Sequence, residues 1–473
     1  MMLRRRLTLL QAVSLNMGMM VGVGPFITIP AFLRTLGGPQ AMIGWILGAL
    51  VAMADGMVWS ELAAAFPGSG GTFHFYDAIY GKRTLGRLLK FLFVWQFLFS
   101  APLELASGAI GLSGYAGFLF GPLRTVALQT PIGDLRWGQV LAVAVVAAVV
   151  GLAYRRIELA GRLMTVLWLG MLATVAVVIV SGLSAFDARM AFDFPADPWH
   201  GDGQRPFAFG LGAALAIAMY DLLGYYQVCY LGDEVQDPQR NLPRAILISA
   251  AVVSLIYLVM NTSIIGVLPW RKAMESEHVA SDFMHVRFGA HAAQAMTAMI
   301  IWTATASIFA GILSYSRVPY AAAKTGHFFG FFAATHPVGD FPHRSLLVVG
   351  AVSALACFFS LDVVIEALLT SRILIQFIGQ IATVVYIRTR PDLRARLSFR
   401  MLLYPVPAVV ALAGWLYVFG TTKQATLLYG VVSLGLGLLA FAFWDARRRG
   451  LGGATPNTAN EGGNSGTANS DQA

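Results

Sequence analysis

The chain has 473 residues, of which 57% are hydrophobic and only 12% are charged, and its formal net charge is +9. Soluble domains carry about 25% charged residues, so this composition excludes an ordinary soluble globular protein. The positive charge does not indicate a nucleic-acid partner, because Lys and Arg concentrate in short segments between apolar runs, as in membrane proteins.

Long apolar runs recur along nearly the whole chain, and a run of roughly 20 residues spans a bilayer. They predict about twelve transmembrane helices, at 9–36, 39–66, 88–119, 136–154, 159–184, 206–231, 243–269, 290–324, 343–360, 362–388, 402–420 and 423–446. A membrane β-barrel would instead show short segments of alternating hydrophobicity. The sequence therefore predicts an all-α polytopic membrane protein embedded in a lipid bilayer.

The two ends of the chain indicate its orientation. Arg4, Arg5 and Arg6 precede an apolar run without a small-residue cleavage site, so we interpret that run as the first membrane helix rather than a signal peptide. With residues 1–8 inside, more than twice as many Lys and Arg lie on inner segments as on outer ones. The positive-inside rule then predicts cytoplasmic termini and the plasma (inner) membrane. The polar composition of 447–473 predicts a disordered cytoplasmic tail.

Glycine-rich segments interrupt the first and sixth predicted helices. Lipid tolerates a broken helix only where it lines a cavity in the protein, and a matched pair of breaks indicates a transporter's binding site. Freed amides at the first break suit a substrate carboxylate, although small residues are also common at plain helix–helix contacts. The first break consists of Gly22, Val23, Gly24, Pro25 and Phe26, and the second spans 219–224.

The positions of the two breaks predict an inverted repeat. Each half has five spans, an odd number, so the two halves would cross the membrane in opposite senses. We predict repeat one at 9–184, repeat two at 206–388 and two extra helices at 402–446, together forming a transmembrane transporter domain at 9–446.

Five sequence blocks, in order, resemble the amino acid–polyamine–organocation (APC) family. They are Thr8-Leu9-Leu10 with Val13, Gly18 and Gly22-Val23-Gly24-Pro25-Phe26; Glu61-Leu62; Phe66-Pro67-Gly68-Ser69-Gly70-Gly71; Asp233-Glu234-Val235-Gln236-Asp237-Pro238-Gln239-Arg240-Asn241-Leu242-Pro243; and Ser316-Arg317-Val318-Pro319-Tyr320-Ala321-Ala322-Ala323 with Gly326. Val23 and Pro25 depart from the family's usual Gly-Ser-Gly-Ile-Phe, which removes a hydroxyl and a backbone N–H. The resemblance implies a five-plus-five inverted repeat with broken helices one and six, alternating access, and amino acids or polyamines as substrates.

The resemblance extends to parts of the second break. Tyr220 matches the aromatic gate that many relatives place over the substrate, and Gly224 matches a glycine of the unwound stretch. Asp221 stands where relatives usually have a small residue, so its role is not implied by the resemblance. A carboxylate at membrane depth faces a cavity or a partner. Asp221 therefore contacts substrate or a proton, or it pairs with Arg317 or Arg372.

Glu104 is a second carboxylate, near the middle of the third span. It resembles an acid near this position in plant-type polyamine transporters of the same family. Two carboxylates at one site suit a cationic substrate or a proton carrier with a raised pKa. The alternative for Glu104 is an internal ion pair, and Glu366 with Arg372, in the tenth span, forms another possible pair.

Other charged residues are expected near the inner face, as gating or coupling groups: Glu61, Asp233, Glu234 and Arg317. Proton-coupled relatives often carry a Lys in helix five, and the comparable residue here is Met171. The coupling ion is therefore left open by this comparison.

The functional prediction is a secondary active transporter that moves amino acids by alternating access, coupled to protons. The alternative within this fold is a polyamine or basic amino acid transporter. No Gly-x4-Gly-Lys-Ser/Thr run predicts ATP binding, and no His/Cys spacing predicts a metal, so we expect no cofactor and no enzyme activity. A receptor or membrane-embedded enzyme is disfavoured, since the loops are short and no nucleophile constellation lies at membrane depth. The oligomeric state is left open.

Overall fold

The computed structural model describes residues 7–81, 83–130, 133–155, 160–199, 206–337, 339 and 341–452. Arg4, Arg5, Arg6 and the tail from 453 onward lie outside the described residues. The last helix continues to Gly452 and so includes the first residues of the segment predicted as a disordered tail.

Among its described residues, the first half of the chain is mostly helical and contains one short hairpin. Its helices are α1 (Leu9–Met20), α2 (Gly24–Leu36), α3 (Met42–Ala65), α4 (Thr72–Tyr80), α5 (Thr84–Leu119), α6 (Trp137–Arg155), α7 (Ala160–Leu183) and α8 (Ala188–Ala191). An antiparallel pair, β1 (Val126–Thr130) and β2 (Gly133–Arg136), lies between α5 and α6. Short 3-10 helices occupy Pro39–Ala41 and Gly121–Arg124.

The second half has the same character. Its helices are α9 (Phe207–Leu222), α10 (Pro238–Ile265), α11 (Trp270–Glu275), α12 (Val279–Phe288), α13 (Ala290–Tyr315), α14 (Arg317–Lys324), α15 (His343–Ala356), α16 (Leu361–Arg372), α17 (Gly379–Thr389), α18 (Pro391–Arg394), α19 (Val406–Thr421) and α20 (Gln424–Gly452). Gln227–Glu234 and Gly330–Ala333 form 3-10 helices, and Ile373–Ile378 forms a π-helix between α16 and α17.

Among the described residues, eight helical segments are long and apolar enough to cross a membrane, and the bent pair α1–α2 adds a ninth. α15 and α19 are shorter apolar helices. This confirms the all-α polytopic membrane fold, because so many long apolar helices are stable only in lipid. The count of twelve spans and the inverted repeat stay predictions.

Local sequence explains where the first helix begins. The hydroxyl of Thr8 accepts a hydrogen bond from the N–H of Gln11 (3.4 Å), and the Gln11 side-chain oxygen accepts one from the N–H of Thr8 (3.0 Å). This reciprocal cap satisfies two backbone donors that the helix cannot satisfy internally. Just before it, Leu7 pairs with the chain beyond the sixth predicted span, because its N–H donates to the carbonyl of Glu234 (2.8 Å).

Small residues bring α9 close to α3. A Cβ added at Gly44 would lie 2.6 Å from the Cβ of Ala214, and one added at Gly48 would lie 2.7 Å from that of Ala218. Glycines four residues apart let two helix backbones approach closely within a membrane. This contact fixes α9, and with it the residues at its C-terminal end.

Candidate functional site

The first predicted break is present and bends the chain by 51° between α1 and α2. α1 ends at Met20 and α2 begins at Gly24, with Pro25 in its first turn. The missing N–H of Pro25 is harmless there, since the first N–H groups of a helix have no partner within it. The break therefore places the positive end of α2 inside the protein, and this end favours an anionic group. Phe26, the next residue, is buried.

The second break is narrower than the sequence suggested. α9 stays helical through Leu222, so Tyr220 and Asp221 lie in its last turn rather than in unwound chain. The reversal falls at Gly224, whose φ of +115° is unfavourable for any residue with a Cβ. A Cβ there would also lie 3.0 Å from the Cβ of Met19, so α1 leaves room only for glycine.

Asn16 of α1 holds the second break together. Its amide N–H donates to the carbonyl of Tyr225 (2.5 Å), and its carbonyl accepts from the N–H of Val228 (2.7 Å). Backbone groups freed by a broken membrane helix need such partners. Asn16 is fully buried. It was not predicted as a site residue, although an amide side chain within an apolar span indicates a buried polar partner.

The two breaks meet at Gly24 and Asp221. The hydroxyl of Thr28, on α2, donates to Asp221 Oδ2 at 2.6 Å. The other oxygen, Oδ1, has no hydrogen-bond partner among the described residues and faces Gly24, where an added Cβ would lie 2.3 Å away. Asp221 is 3% exposed. Among the described residues, neither Arg317 nor Arg372 forms an ion pair with Asp221, and Arg372 pairs with Glu104 instead.

Tyr220 lies beside the same point. Its ring carbon Cε1 is 3.4 Å from the position of a Cβ on Gly24. Its hydroxyl is 2.7 Å from the hydroxyl of Ser107, on α5. Tyr220, predicted as a gate, is thus bonded from α9 to α5. Ser107, like Asn16, was not predicted as a site residue.

Glu104 forms an internal ion pair, which is one of the two roles that its sequence position left open. Its carboxylate lies 2.8 Å from Nη2 of Arg372, the last residue of α16. Arg372 also donates from Nε to Ser100 (3.1 Å) and from Nη1 to Tyr226 (3.3 Å).

The suggested pairing of Glu366 with Arg372 is wrong. Glu366 binds Lys423 at 2.7 Å and accepts from the hydroxyl of Thr426 at 2.9 Å. Residues six apart on a helix do not share a face, so Glu366 and Arg372 point to different neighbours.

The predicted gating residues lie away from the breaks. Glu61 is fully buried and accepts two hydrogen bonds from Arg388, at 2.7 and 2.6 Å. The carboxylate of Asp233 accepts from the N–H of Ser69 at 3.2 Å. Glu234 contributes its carbonyl to the pairing with the N-terminal segment.

Two cavities lie along the second broken helix, one beside α9 and the other beside the 3-10 helix that follows the second break. The α2–α9 cavity, about 320 Å³, is bordered by Thr28, Ile217 and Lys423 among others. Ile217 is three residues before Tyr220, so both lie on one face of α9 and Tyr220 lies directly beyond this cavity. Thr28 borders the cavity and its hydroxyl donates to Asp221, so the carboxylate lies behind the residues that form the cavity wall.

The α4–α14 cavity, about 560 Å³, lies beyond the other end of the break. Gln227 and Glu234 border it from the 3-10 helix, and Arg317 borders it from α14. His74 lines it from α4, and burial lowers the pKa of His74 below its ordinary value of 6.5, which favours the neutral ring.

A membrane protein with two broken helices meeting between such cavities has the architecture of a secondary transporter. The chain belongs to the amino acid permease family, whose profile matches residues 7–441. This confirms the resemblance to APC permeases, and the family consists of transporters rather than enzymes. The chain is an integral membrane protein.

Individual relatives support the same family. An uncharacterized transporter of Mycobacterium tuberculosis (strain ATCC 25618 / H37Rv) is 30% identical over 356 residues, which cover 74% of this chain and 73% of the relative. The methylthioribose transporter of Bacillus subtilis (strain 168) is 24% identical, over 94% of each chain. The serine/threonine exchanger SteT of the same organism is 25% identical, over 92% of this chain and 94% of its own.

Proposed function

We propose that this permease is a secondary active transporter that carries neutral amino acids across the plasma membrane by alternating access, coupled to protons. The observation that carries the proposal is the meeting of both breaks at Gly24 and Asp221, with a cavity at either end. The transporter domain comprises 9–446, with repeats at 9–184 and 206–388. With cytoplasmic termini, the α4–α14 cavity opens to the cytoplasm and the α2–α9 cavity opens to the outside.

The substrate's carboxylate binds at the N-terminal end of α2, at Gly22–Phe26. The dipole of α2 favours an anion at this end. The Tyr220 ring beside Gly24 covers the bound molecule, and its bond to Ser107 closes the route from the outer cavity. Opening requires that bond to break. Gly224 supplies the turn of the backbone around the substrate.

Charge at the site favours a neutral side chain. Arg372 neutralises Glu104, so the pair of free carboxylates that would suit a polyamine is reduced to Asp221. Glu61, Asp233, Glu234 and Arg317 act in gating at the cytoplasmic end. Glu234 and Arg317 border the α4–α14 cavity, which supports this role.

Asp221 carries the coupling proton. It is buried, accepts one hydrogen bond from a neutral hydroxyl, and has a second oxygen with no partner among the described residues. An ionised carboxylate so placed in a membrane is costly, and protonation removes that charge. A proton arriving through the outer cavity and leaving through the inner one would couple the two conformations.

Uptake into proteoliposomes, with a panel of labelled amino acids, polyamines and methylthioribose, tests the function. Neutral amino acids should accumulate when the outside is acidified. Asp221→Asn should lose accumulation against a gradient and keep substrate exchange. The matched control is Asp362→Asn, which removes a carboxylate that borders the same outer cavity. Uptake of Lys, Arg or polyamines, without any neutral amino acid, would support the basic-substrate alternative instead.

A further inference from the structure

One ion pair lies inside the helical bundle, a single helical turn from the gate. Glu104 and Arg372 are brought together from α5 and α16, with the two charged atoms 2.8 Å apart. Neither Glu104 Oε2 nor Arg372 Nη2 makes an aligned hydrogen bond within the described residues, so attraction of charge holds this contact rather than directed bonding. A contact of this kind is replaceable by another cation at the same place.

The two partners differ in what surrounds them. The Arg372 side chain is 3% exposed and lies over the rings of Phe97 (5.8 Å) and Tyr315 (6.0 Å). It also donates to Ser100 and Tyr226. The guanidinium is therefore enclosed by its own neighbours.

The Glu104 side chain, by contrast, is 19% exposed, although its Oε2 is buried at the contact with the guanidinium. Its backbone carbonyl accepts a hydrogen bond from Ser107 (2.7 Å), whose hydroxyl meets that of Tyr220. Residues three apart lie on one face of a helix. The carboxylate and the gate contact thus line the same side of α5, and a substrate side chain beyond Tyr220 would meet Glu104.

We infer that Arg372 is a specificity-determining residue, whose charge cancels that of Glu104 and so reserves the site for substrates with uncharged side chains. The inference rests on the proposed function. With Arg372 in place, a lysine or arginine side chain would bring a second cation to a carboxylate that is already paired. Without it, Glu104 becomes an uncompensated anion in a membrane-embedded site, and a cationic side chain is the natural replacement for the missing guanidinium.

Two single variants give opposite predictions. Arg372→Gln should raise the affinity for lysine relative to norleucine, a neutral side chain of equal length, by about tenfold or more. Glu104→Gln leaves the guanidinium unpaired and should raise the affinity for glutamate relative to glutamine by about the same factor. The double variant should return the preference for neutral amino acids. All four are measured by competition binding to purified protein.

The control is Arg271→Gln, which makes the same substitution in an exposed ion pair, with Asp193, and should leave the preference unchanged. Wild-type uptake of neutral amino acids is measured first, and its absence contradicts the proposed function. Unchanged lysine preference in a folded Arg372→Gln, or unchanged glutamate preference in a folded Glu104→Gln, overturns the inference alone. If both single variants fail to fold while the double variant folds, the pair serves packing and the inference is also overturned.

Discussion

Replacing Gly24 with alanine should force apart the two broken helices at the point where Gly24 faces Asp221. The added Cβ would lie 2.3 Å from Asp221 Oδ1, whereas real Cβ contacts essentially never fall below 3.0 Å. Because Thr28 holds the other carboxylate oxygen at 2.6 Å, the carboxylate cannot move away and keep that hydrogen bond. The Tyr220 ring, 3.4 Å from the same Cβ, limits movement on the other side.

The size of the effect follows from the bond that is lost. A hydrogen bond between neutral groups, here the Thr28 hydroxyl and the protonated Asp221, is worth about 0.5–1.5 kcal/mol, which corresponds to roughly a two- to tenfold change in an equilibrium constant. We expect Gly24→Ala to weaken the apparent substrate affinity, measured by proteoliposome uptake, by that factor. Thr28→Val removes the same bond without the steric contact and should give a loss of similar size.

The control for these measurements is Gly114→Ala on α5, where an added Cβ meets nothing within 4 Å. It should transport like the wild type. If folded Gly24→Ala retains wild-type affinity and uptake rate, then Gly24 and Asp221 are not part of the transport site and the reasoning fails.

Three further results are expected. Tyr220→Phe removes only the hydroxyl bonded to α5 and should raise substrate leakage roughly two- to tenfold, as for one neutral hydrogen bond; unchanged retention makes the hydroxyl irrelevant to gating. Gly224→Ala should lower the free energy of unfolding by about 1–3 kcal/mol through backbone strain, against no change for Gly114→Ala in thermal unfolding. His278 Nε2 lies 2.8 Å from Arg124. Burial, and secondly the charge of Arg124, lower the pKa of His278 below 6.5. The fold therefore keeps its full stability above pH 6.5, where the ring is neutral, and loses stability as pH falls through the lowered pKa. The measurement is the melting temperature against pH. If acid lowers it no more in the wild type than in His278→Gln, this prediction is contradicted.

The fold was predictable because membrane helices are a local property of the chain. Runs of apolar residues fix each helix, and Gly22 and Gly224 mark the interruptions within a few residues. The exact end of α9 was not predictable, since Tyr220 and Asp221 lie within the helix and, of residues 219–224, only Gly224 has a positive φ.

The partners of the buried charges were not predictable. Glu104 meets Arg372 across the bundle, and Glu366 meets Lys423 rather than the arginine nearer in sequence. Such pairs depend on how helices pack, whereas spacing along the chain gives only the face on which a residue lies. Asn16 was missed for the same reason, because its value comes from carbonyl and amide groups more than two hundred residues away.

The ties between α1 and the segment Gln227–Glu234 determine which parts move as one body. Asn16 joins them in the middle of α1, and Leu7 joins them at its start. We expect these two pieces to move as one unit, with the backbone turning at Val21–Val23 on one side and at Gly224 on the other. Spin labels placed on both pieces should keep a constant separation through the transport cycle, while the distance from either label to α14 changes.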